Sequence, residues 1–215
     1  MNFFGHAWVA SRTHGDAAFV LGAMLPDFAS MARVRLAAPR HAGLQAGLEL
    51  HHRTDSVFHR LPGFLRLNRW AVAELRARGL SRGMARGSAH VAIELLLDGT
   101  LVLDPGAARA YGHALEAAFD PAVDGAIGWP ADARPRWQTI RTRLRRSGAP
   151  LAYRDPAQVS ARVAHALRER PALALDSRAE RSVAQWVAHA RPVVVSGASR
   201  LLAELELGLA TRAAS

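Results

Sequence analysis

The chain has 215 residues, of which 50% are hydrophobic and 21% are charged. This composition supports a sizeable core and excludes a disordered protein. The absence of cysteine also excludes disulfide scaffolds, thiolate metal sites and cysteine nucleophiles. The formal net charge is +10, and every one of the 28 basic residues is arginine.

Segments of helical length lie between glycine and proline residues, and no stretch shows the two-residue alternation of a strand. The predicted helices cover residues 2–10, 14–30, 41–60, 63–79, 83–103, 106–119, 132–146, 156–169 and 175–212. A break in the last helix is predicted near Pro192. Asp155, followed by Pro156, is a predicted N-cap, and Asp104-Pro105-Gly106 is predicted to end one helix and start the next. We therefore expect an all-α helical bundle in which residues 1–215 form a single domain.

Neither a leader nor a membrane span is evident in the sequence. The N-terminal segment lacks the basic start of a signal peptide. The two longest apolar stretches are either too short to span a bilayer or interrupted by carboxylates. We expect a soluble cytoplasmic protein with no membrane insertion.

The segment GLELHHRTDSVFHRLP, residues 47–62, places polar residues at helical spacing. His51, Asp55 and His59 follow one another at intervals of four residues, so a continuous helix would align them in one stripe. Two imidazoles and a carboxylate on one face form a ligand set suited to Mn²⁺, Fe²⁺, Zn²⁺ or Mg²⁺.

The segment GSAHVAIELLLDGTL, residues 87–101, repeats this spacing with His90, Glu94 and Asp98. The intervening residues are strongly apolar, and buried carboxylates are costly unless they are paired or bound to metal. A cation shared by the two stripes would relieve this cost. The sequence therefore predicts one metal or catalytic site between them.

Two further residues are candidates for the same site. Asp27 ends the apolar run FVLGAMLPDF, and His6 lies in the apolar opening segment. Each candidate taken alone has a structural alternative: a buried histidine is often hydrogen bonded, an aspartate often caps a turn, and a carboxylate often pairs with arginine.

The segments MNFFGHA, GAMLPDF and GLELHHRTDSVFHRLP together resemble the acyl carrier protein phosphodiesterase family. The resemblance covers residues 1–62 clearly and residues 90–101 more weakly. It implies an all-helical fold related to the HD-type metal phosphohydrolases. It also implies hydrolysis, with Mn²⁺ or Mg²⁺, of the phosphodiester that joins 4′-phosphopantetheine to a serine of acyl carrier protein.

Several positions match the family's motif and several depart from it. The matching residues are His6, Gly22, Asp27, His51, Arg53, Asp55 and Asp98. Glu94 stands where the family has aspartate. The departures are Trp8, Ala23, His59 and Gly99, which replace histidine, asparagine, aspartate and histidine, whereas His90 is additional. The resemblance thus implies a metal core with altered ligands, and a different substrate remains open.

The expected site follows from these two arguments together. The predicted metal ligands are His6, Asp27, His51, Asp55, His90, Glu94 and Asp98. The predicted catalytic residues are His51, Arg53, Asp55 and His59. A divalent cation, Mn²⁺ or Mg²⁺ before Fe²⁺ or Zn²⁺, would neutralise phosphate charge and activate water. Arg53 is either a phosphate contact, a partner of a ligand carboxylate or a surface residue.

A basic stretch, Arg134–Arg146, adds a question about partners. It is either a solvated helix face or a docking surface for an acidic partner such as acyl carrier protein. Nucleic acid is the rival partner, although the scattered aromatic residues argue against a stacking platform. Two alternatives to the phosphodiesterase stay open: an HD-like phosphohydrolase acting on a nucleotide or other small phosphoester, and a non-catalytic basic binding protein with a decayed site.

Overall fold

The computed structural model describes residues 1–213, and this part of the chain is helical throughout, with no strand. It contains ten α-helices and two short 3₁₀ helices, at Ala131–Ala133 and Leu151–Arg154. The α-helices are α1 (Phe3–Thr13), α2 (Ala17–Ala32), α3 (Ala42–Phe58), α4 (Pro62–Ala77), α5 (Arg82–Leu101), α6 (Pro105–Ala117), α7 (Pro121–Ala126), α8 (Arg134–Ser147), α9 (Pro156–Leu167) and α10 (Ser177–Ala213). The predicted all-α class is confirmed.

The helices are distributed over two compact units. Unit one comprises Met1–Ser56 and Leu101–Pro150, and unit two comprises Val57–Thr100 and the chain from Leu151 onward. The chain leaves unit one near the end of α3 and returns to it at the end of α5. The HD-like arrangement and the single domain stay predictions.

Unit one is built on the packing of α1, α2 and α6, with α8 against α2 and α6. Aromatic side chains fill its interior. The Phe3 ring lies 5.9 Å from that of Phe28 and 6.0 Å from that of Tyr111. Phe28 in turn lies 5.7 Å from Trp137. These large buried rings fix the positions of α1 and α2, the two helices that carry His6 and Asp27.

Close approach of α2 and α3 depends on two glycines. A Cβ atom on Gly22 would overlap the carbonyl oxygen of Leu44, and a Cβ atom on Gly47 would overlap that of Phe19. The two backbones are therefore in direct contact at this crossing. This proximity brings the middle of α3, including His51, against the middle of α2.

Unit two is built around α10, which packs against α4 and α9. A glycine again permits close contact, because a Cβ atom on Gly99 of α5 would overlap the backbone carbonyl of Tyr153 in the second 3₁₀ helix. The α10 helix continues through Pro192 to Ala213, so the predicted break near Pro192 is wrong. Proline interrupts one hydrogen bond of a helix, but packing along a helix of 37 residues compensates for that loss.

Aspartate side chains cap the starts of several described helices, among them α6, α7 and α9. Asp104 accepts hydrogen bonds from the backbone N–H groups of Gly106 and Ala107, and Asp155 accepts one from that of Ala157. The predicted N-cap Asp155 is confirmed, and the helix start predicted after Asp104 is confirmed as that of α6. Asp120 caps the short helix α7 in the same manner, and sequence analysis missed this helix because six residues are too few for an apolar period.

Among the described residues, the structure contains no helix that is both long and apolar enough to cross a membrane.

Candidate functional site

Four predicted site residues of unit one meet in a single cluster, termed here the first ligand cluster: His6 of α1, Asp27 of α2, and His51 and Asp55 of α3. The His6 Nε2 atom lies 3.3 Å from Asp55 Oδ1, and His51 Nε2 lies 3.6 Å from Asp55 Oδ2. Asp27 Oδ2 lies 3.9 Å from His6 Nε2 and 3.9 Å from His51 Nδ1. Residues far apart in sequence thus offer ligand atoms to one small volume.

The state of His51 follows from its surroundings. Its Nδ1 atom lies 2.9 Å from the carbonyl oxygen of Ala23. A carbonyl oxygen only accepts, so Nδ1 carries the proton and Nε2 carries a lone pair. Burial lowers the pKa of His51 to about 3, and the neighbouring His6 acts in the same direction. A neutral imidazole therefore directs its lone pair towards the carboxylate of Asp55.

The carboxylate of Asp55 is ionised. Burial raises its pKa, but the hydrogen bond from His6 and the charge of the Met1 α-ammonium group outweigh that effect, so the pKa lies far below its ordinary value. The ammonium nitrogen is 2.5 Å from Asp55 Oδ1. Sequence analysis missed this contact because an α-amino group has no side-chain pattern.

Three predicted site residues of unit two form a separate group, the second ligand cluster: His59, His90 and Glu94. His59 Nε2 lies 3.0 Å from Glu94 Oε1, and His90 Nε2 lies 3.1 Å from the same oxygen. Burial raises the pKa of Glu94, yet electrostatic stabilisation that includes hydrogen bonds from both imidazoles outweighs it and holds the pKa well below its ordinary range. The cluster is therefore centred on a carboxylate anion.

The predicted stripe of α3 is shorter than the sequence suggested. The helix ends at Phe58, so His59 lies in the following turn and not on the helical face of His51 and Asp55. Pro62 begins the next helix and forces the chain to turn here. In α5, by contrast, His90 and Glu94 keep their predicted spacing of four residues.

Two further predicted residues have distinct environments. Asp98 is buried, with 1% of its surface exposed, one helical turn beyond Glu94 in α5. Arg53 is exposed on α3, and each of its alternative roles stays a prediction. The ligand role of Asp98 and the merging of the two clusters into one site stay predictions.

Two departures from the family motif have structural reasons. Gly99 leaves no room for the histidine that the resemblance predicts, because the Tyr153 backbone occupies the space of a side chain. Trp8 contributes to the packing of unit one: its indole N–H donates to Asp104 at 3.1 Å, and the Arg12 guanidinium lies 4.3 Å from its ring centre.

Part of the basic stretch of α8 is structural. Arg141 lies 2.9 Å from Asp124 and donates a hydrogen bond to the carbonyl of Ala118. Arg145 lies over the Phe119 ring at 4.0 Å from its centre. These two guanidinium groups fix α8 within unit one. The remaining arginines of the stretch are exposed: Arg134, Arg136, Arg143 and Arg146.

Comparison of the chain with known proteins adds no relative: no protein-family model, curated protein or solved structure matches it. The arguments about its chemistry therefore rest on the two ligand clusters. The first offers two imidazoles and two carboxylates, and the second offers two imidazoles and one carboxylate. Both donor sets suit divalent cations.

Proposed function

We propose that the protein is a metal-dependent phosphodiesterase whose divalent cation binds at the first ligand cluster. One observation carries this proposal. Ligand atoms of His6, Asp27 and His51, contributed by three different helices, lie within 4.8 Å of one another in a buried part of unit one. Chance pairs of surface charges are common, whereas the convergence of two buried histidines and a partly buried aspartate from separate helices is costly unless it serves a purpose.

The chemistry of the donor set fits a cation. The Nε2 lone pair of His51 and the Oδ2 atom of the Asp55 carboxylate face each other at 3.6 Å. A cation between these two atoms would be attracted by both, whereas the Met1 ammonium group lies at the other carboxylate oxygen, Oδ1. The hydrogen bond from His51 to Ala23 also fixes the ring in the tautomer that a metal requires. His6, Asp27, His51 and Asp55 would hold the ion.

A bound divalent cation would neutralise charge on the phosphate oxygens and lower the pKa of a water molecule. The protein supplies the remaining requirements. Asp55 is the most exposed member of the first cluster and therefore the member nearest to an arriving substrate. Its depressed pKa makes it a weak base, so it is suited to binding a cation rather than to removing a proton.

For the substrate, we propose the phosphodiester between 4′-phosphopantetheine and acyl carrier protein. The motifs of residues 1–62 support this choice through their resemblance to the acyl carrier protein phosphodiesterases. The exposed arginines of α8, which include Arg134 and Arg143, would attract an acidic protein at long range. A small phosphoester is the alternative, and it would need no such surface.

The first test is metal dependence. Chelator-treated protein is expected to release no phosphopantetheine from holo-acyl carrier protein, and Mn²⁺ or Mg²⁺ is expected to restore the activity. A generic aryl phosphodiester, assayed in parallel, separates the two substrate classes, since only a general phosphohydrolase would prefer it. Unchanged activity after complete metal removal would refute the proposal.

The second test assigns the activity to the first cluster. We expect Asp55→Asn to abolish turnover while the helix content by circular dichroism stays that of the parent protein. Glu49→Gln is the matched control, because Glu49 is an exposed carboxylate on the same helix. Equal activities of the two variants would place the active site elsewhere.

A further inference from the structure

We propose that the second ligand cluster, His59, His90 and Glu94, is a binding site for a zinc-class transition-metal ion such as Zn²⁺ or Co²⁺. The inference rests on residues of unit two and stands or falls independently of the phosphodiesterase proposal.

Convergence of the donor atoms is the first argument. Both imidazole Nε2 atoms approach the same oxygen, Glu94 Oε1, at 3.0 and 3.1 Å. Ligand atoms around one zinc ion lie about 2.0–2.1 Å from the metal, which places neighbouring ligand atoms roughly 3–3.5 Å apart. The observed separations already fall in this range. Replacing the two N–H protons with one ion would require only small side-chain movements.

Orientation of the rings is the second argument. The His59 and His90 rings are stacked, with centres 5.0 Å apart and planes at 24°. Phe64 packs edge-on against both, at 5.4 Å from His59 and 5.8 Å from His90. Phe58 packs against Phe64 at 4.6 Å. This aromatic wall restricts rotation of both imidazoles and directs their Nε2 atoms to one point, which lowers the entropic cost of binding an ion.

Chemistry of the donors selects the class of ion. Two imidazole nitrogens and one carboxylate oxygen form a set that favours Zn²⁺, Co²⁺ or Ni²⁺ over Mg²⁺, which prefers oxygen ligands. His90 and Glu94 lie one turn apart on α5, and His59 comes from the turn after α3. Paired ligands from one helix with a third from another segment fix three coordination positions.

Exposure of the cluster leaves a fourth position accessible. The side chains of His59 and His90 are 32% and 42% exposed, whereas that of Glu94 is 12% exposed. Solvent or an incoming oxygen ligand can therefore reach the metal from the side of the imidazoles. A site with three protein ligands and one open position is of the exchangeable kind, not the closed structural kind.

A cobalt titration tests the site directly. The full-length, chelator-treated protein is titrated with Co²⁺, and visible absorption reports coordination by imidazole. Zn²⁺ is then expected to displace the cobalt and remove the absorption. The titration is repeated with Asp55→Asn, which removes a ligand of the first cluster, so that loss of one site is distinguished from loss of the other.

Substitutions of the ligand residues test whether the metal binds at the second cluster. Glu94→Gln and His90→Ala are each expected to weaken Zn²⁺ binding at this site by at least about 100-fold, since even indirect partners of metal ligands are worth 10- to 100-fold. His90 is partly exposed, so His90→Ala remains informative if Glu94→Gln fails to fold. His189→Ala, an exposed histidine of the same unit, is the control.

Two outcomes decide the question, and a further observation separates it from the first-cluster proposal. A cobalt site that persists in Asp55→Asn and His189→Ala, and that is lost in His90→Ala, supports the proposal. The absence of any cobalt or zinc binding that depends on His90 or Glu94 overturns it and leaves a hydrogen-bonded His–Glu–His group. An active enzyme without this second ion would still support the first-cluster proposal alone.

Discussion

The two ligand clusters differ in burial and in donor balance, and the difference shows what each is suited to hold. In the first, the side chains of His6 and His51 are 1% and 6% exposed, and two carboxylates accompany them. In the second, both imidazoles are partly exposed and share a single carboxylate. More oxygen donors favour Mn²⁺ or Mg²⁺, whereas a majority of imidazoles favours Zn²⁺.

The clusters also differ in what they require of the fold. The first needs three helices in place and a close crossing of α2 and α3 at Gly22. Two of the three ligands in the second already lie one turn apart on α5. The first cluster is therefore the more sensitive of the two to changes in packing, and the second is the more sensitive to changes in its own side chains.

The largest expected effect is a separation of the two metal affinities by one substitution. Asp27→Asn removes a charged oxygen from the first cluster and should lower Mn²⁺ affinity there by at least about 100-fold. Zn²⁺ affinity at the second cluster should stay unchanged. Isothermal titration with each ion measures both quantities, and a parallel loss of both affinities would contradict two independent sites.

Next in size is the effect of filling the glycine contacts. Gly22→Ala should lower the free energy of unfolding by about 1–3 kcal/mol, because the new Cβ meets the Leu44 backbone. It should also weaken Mn²⁺ binding at the first cluster, because the carbonyl oxygen of the next residue, Ala23, accepts the hydrogen bond that orients His51. Urea unfolding and Mn²⁺ titration provide the measurements.

Two matched variants sharpen that result. Gly112→Ala in α6 enters open space and should raise stability by roughly 0.5–1 kcal/mol through helix propensity. Gly99→Ala meets the Tyr153 backbone in unit two and should weaken Zn²⁺ binding more than Mn²⁺ binding. If Gly22→Ala behaved like Gly112→Ala, the close crossing of α2 and α3 would be wrong.

Exchange of one ligand should shift the metal preference of the second cluster from Zn²⁺ towards Mn²⁺. His90→Asp gives it two carboxylates and one imidazole, the balance that favours Mn²⁺. We expect the ratio of Zn²⁺ to Mn²⁺ affinity to fall by about tenfold, which corresponds to roughly 1.4 kcal/mol. Competition between the two ions, followed by metal analysis of the dialysed protein, measures the ratio. An unchanged ratio would show that His90 is not a ligand.

Acid should destabilise the metal-free protein through His51. The folded state keeps this ring neutral down to a pKa of about 3, whereas the unfolded chain binds the proton near the ordinary value of 6.5. The unfolded state therefore holds more protons between these values, and stability falls as the pH falls through this window, by up to about 1.4 kcal/mol per pH unit. Urea midpoints measured from pH 7 to 4 should decline less in His51→Gln than in the parent protein or in His189→Gln.

The smallest expected effect concerns the hydrogen bond that Trp8 of α1 donates to Asp104. Asp104→Ala removes the N-cap of α6 together with the hydrogen bond from Trp8, and should cost about 1–2 kcal/mol. Asp155→Ala removes only the cap of α9 and should cost less. Thermal unfolding of both variants provides the comparison. Equal losses would show that the contacts of Asp104 with Trp8 and Arg12 add nothing to the stability of unit one.

Local patterns in the sequence predicted most of the helices, but they did not reveal the contacts between helices. Nine of the ten α-helices of residues 1–213 correspond to predicted segments, and the exception is the short helix α7. The spacing of His90 and Glu94 was predictive because α5 is continuous through both. The spacing of His51 and His59 was misleading because α3 ends between them. Residues four apart in sequence share a face only when both lie in one unbroken helix.

Other features of the site had no sequence signal. The overlap of Gly22 with Leu44 depends on tertiary packing, and the sequence shows only a glycine in a helix, which is usually unfavourable. The arginines of α8 look alike in sequence, yet Arg141 is tied to Asp124 while Arg143 is exposed. An arginine is structural only where a partner lies beside it, and that partner comes from a segment more than one helical turn away in the sequence.

The face-to-face contact of the His6 and His51 rings, with centres 3.8 Å apart, has a consequence for how the first ligand cluster acquires charge. Two cations cannot stack at this distance without strong repulsion, so a proton on His6 opposes a proton on His51 and contributes to the lowered pKa of His51. A substitution that removes the ring of His6 should accordingly raise the pKa of His51, which chemical-shift titration of the His51 imidazole measures.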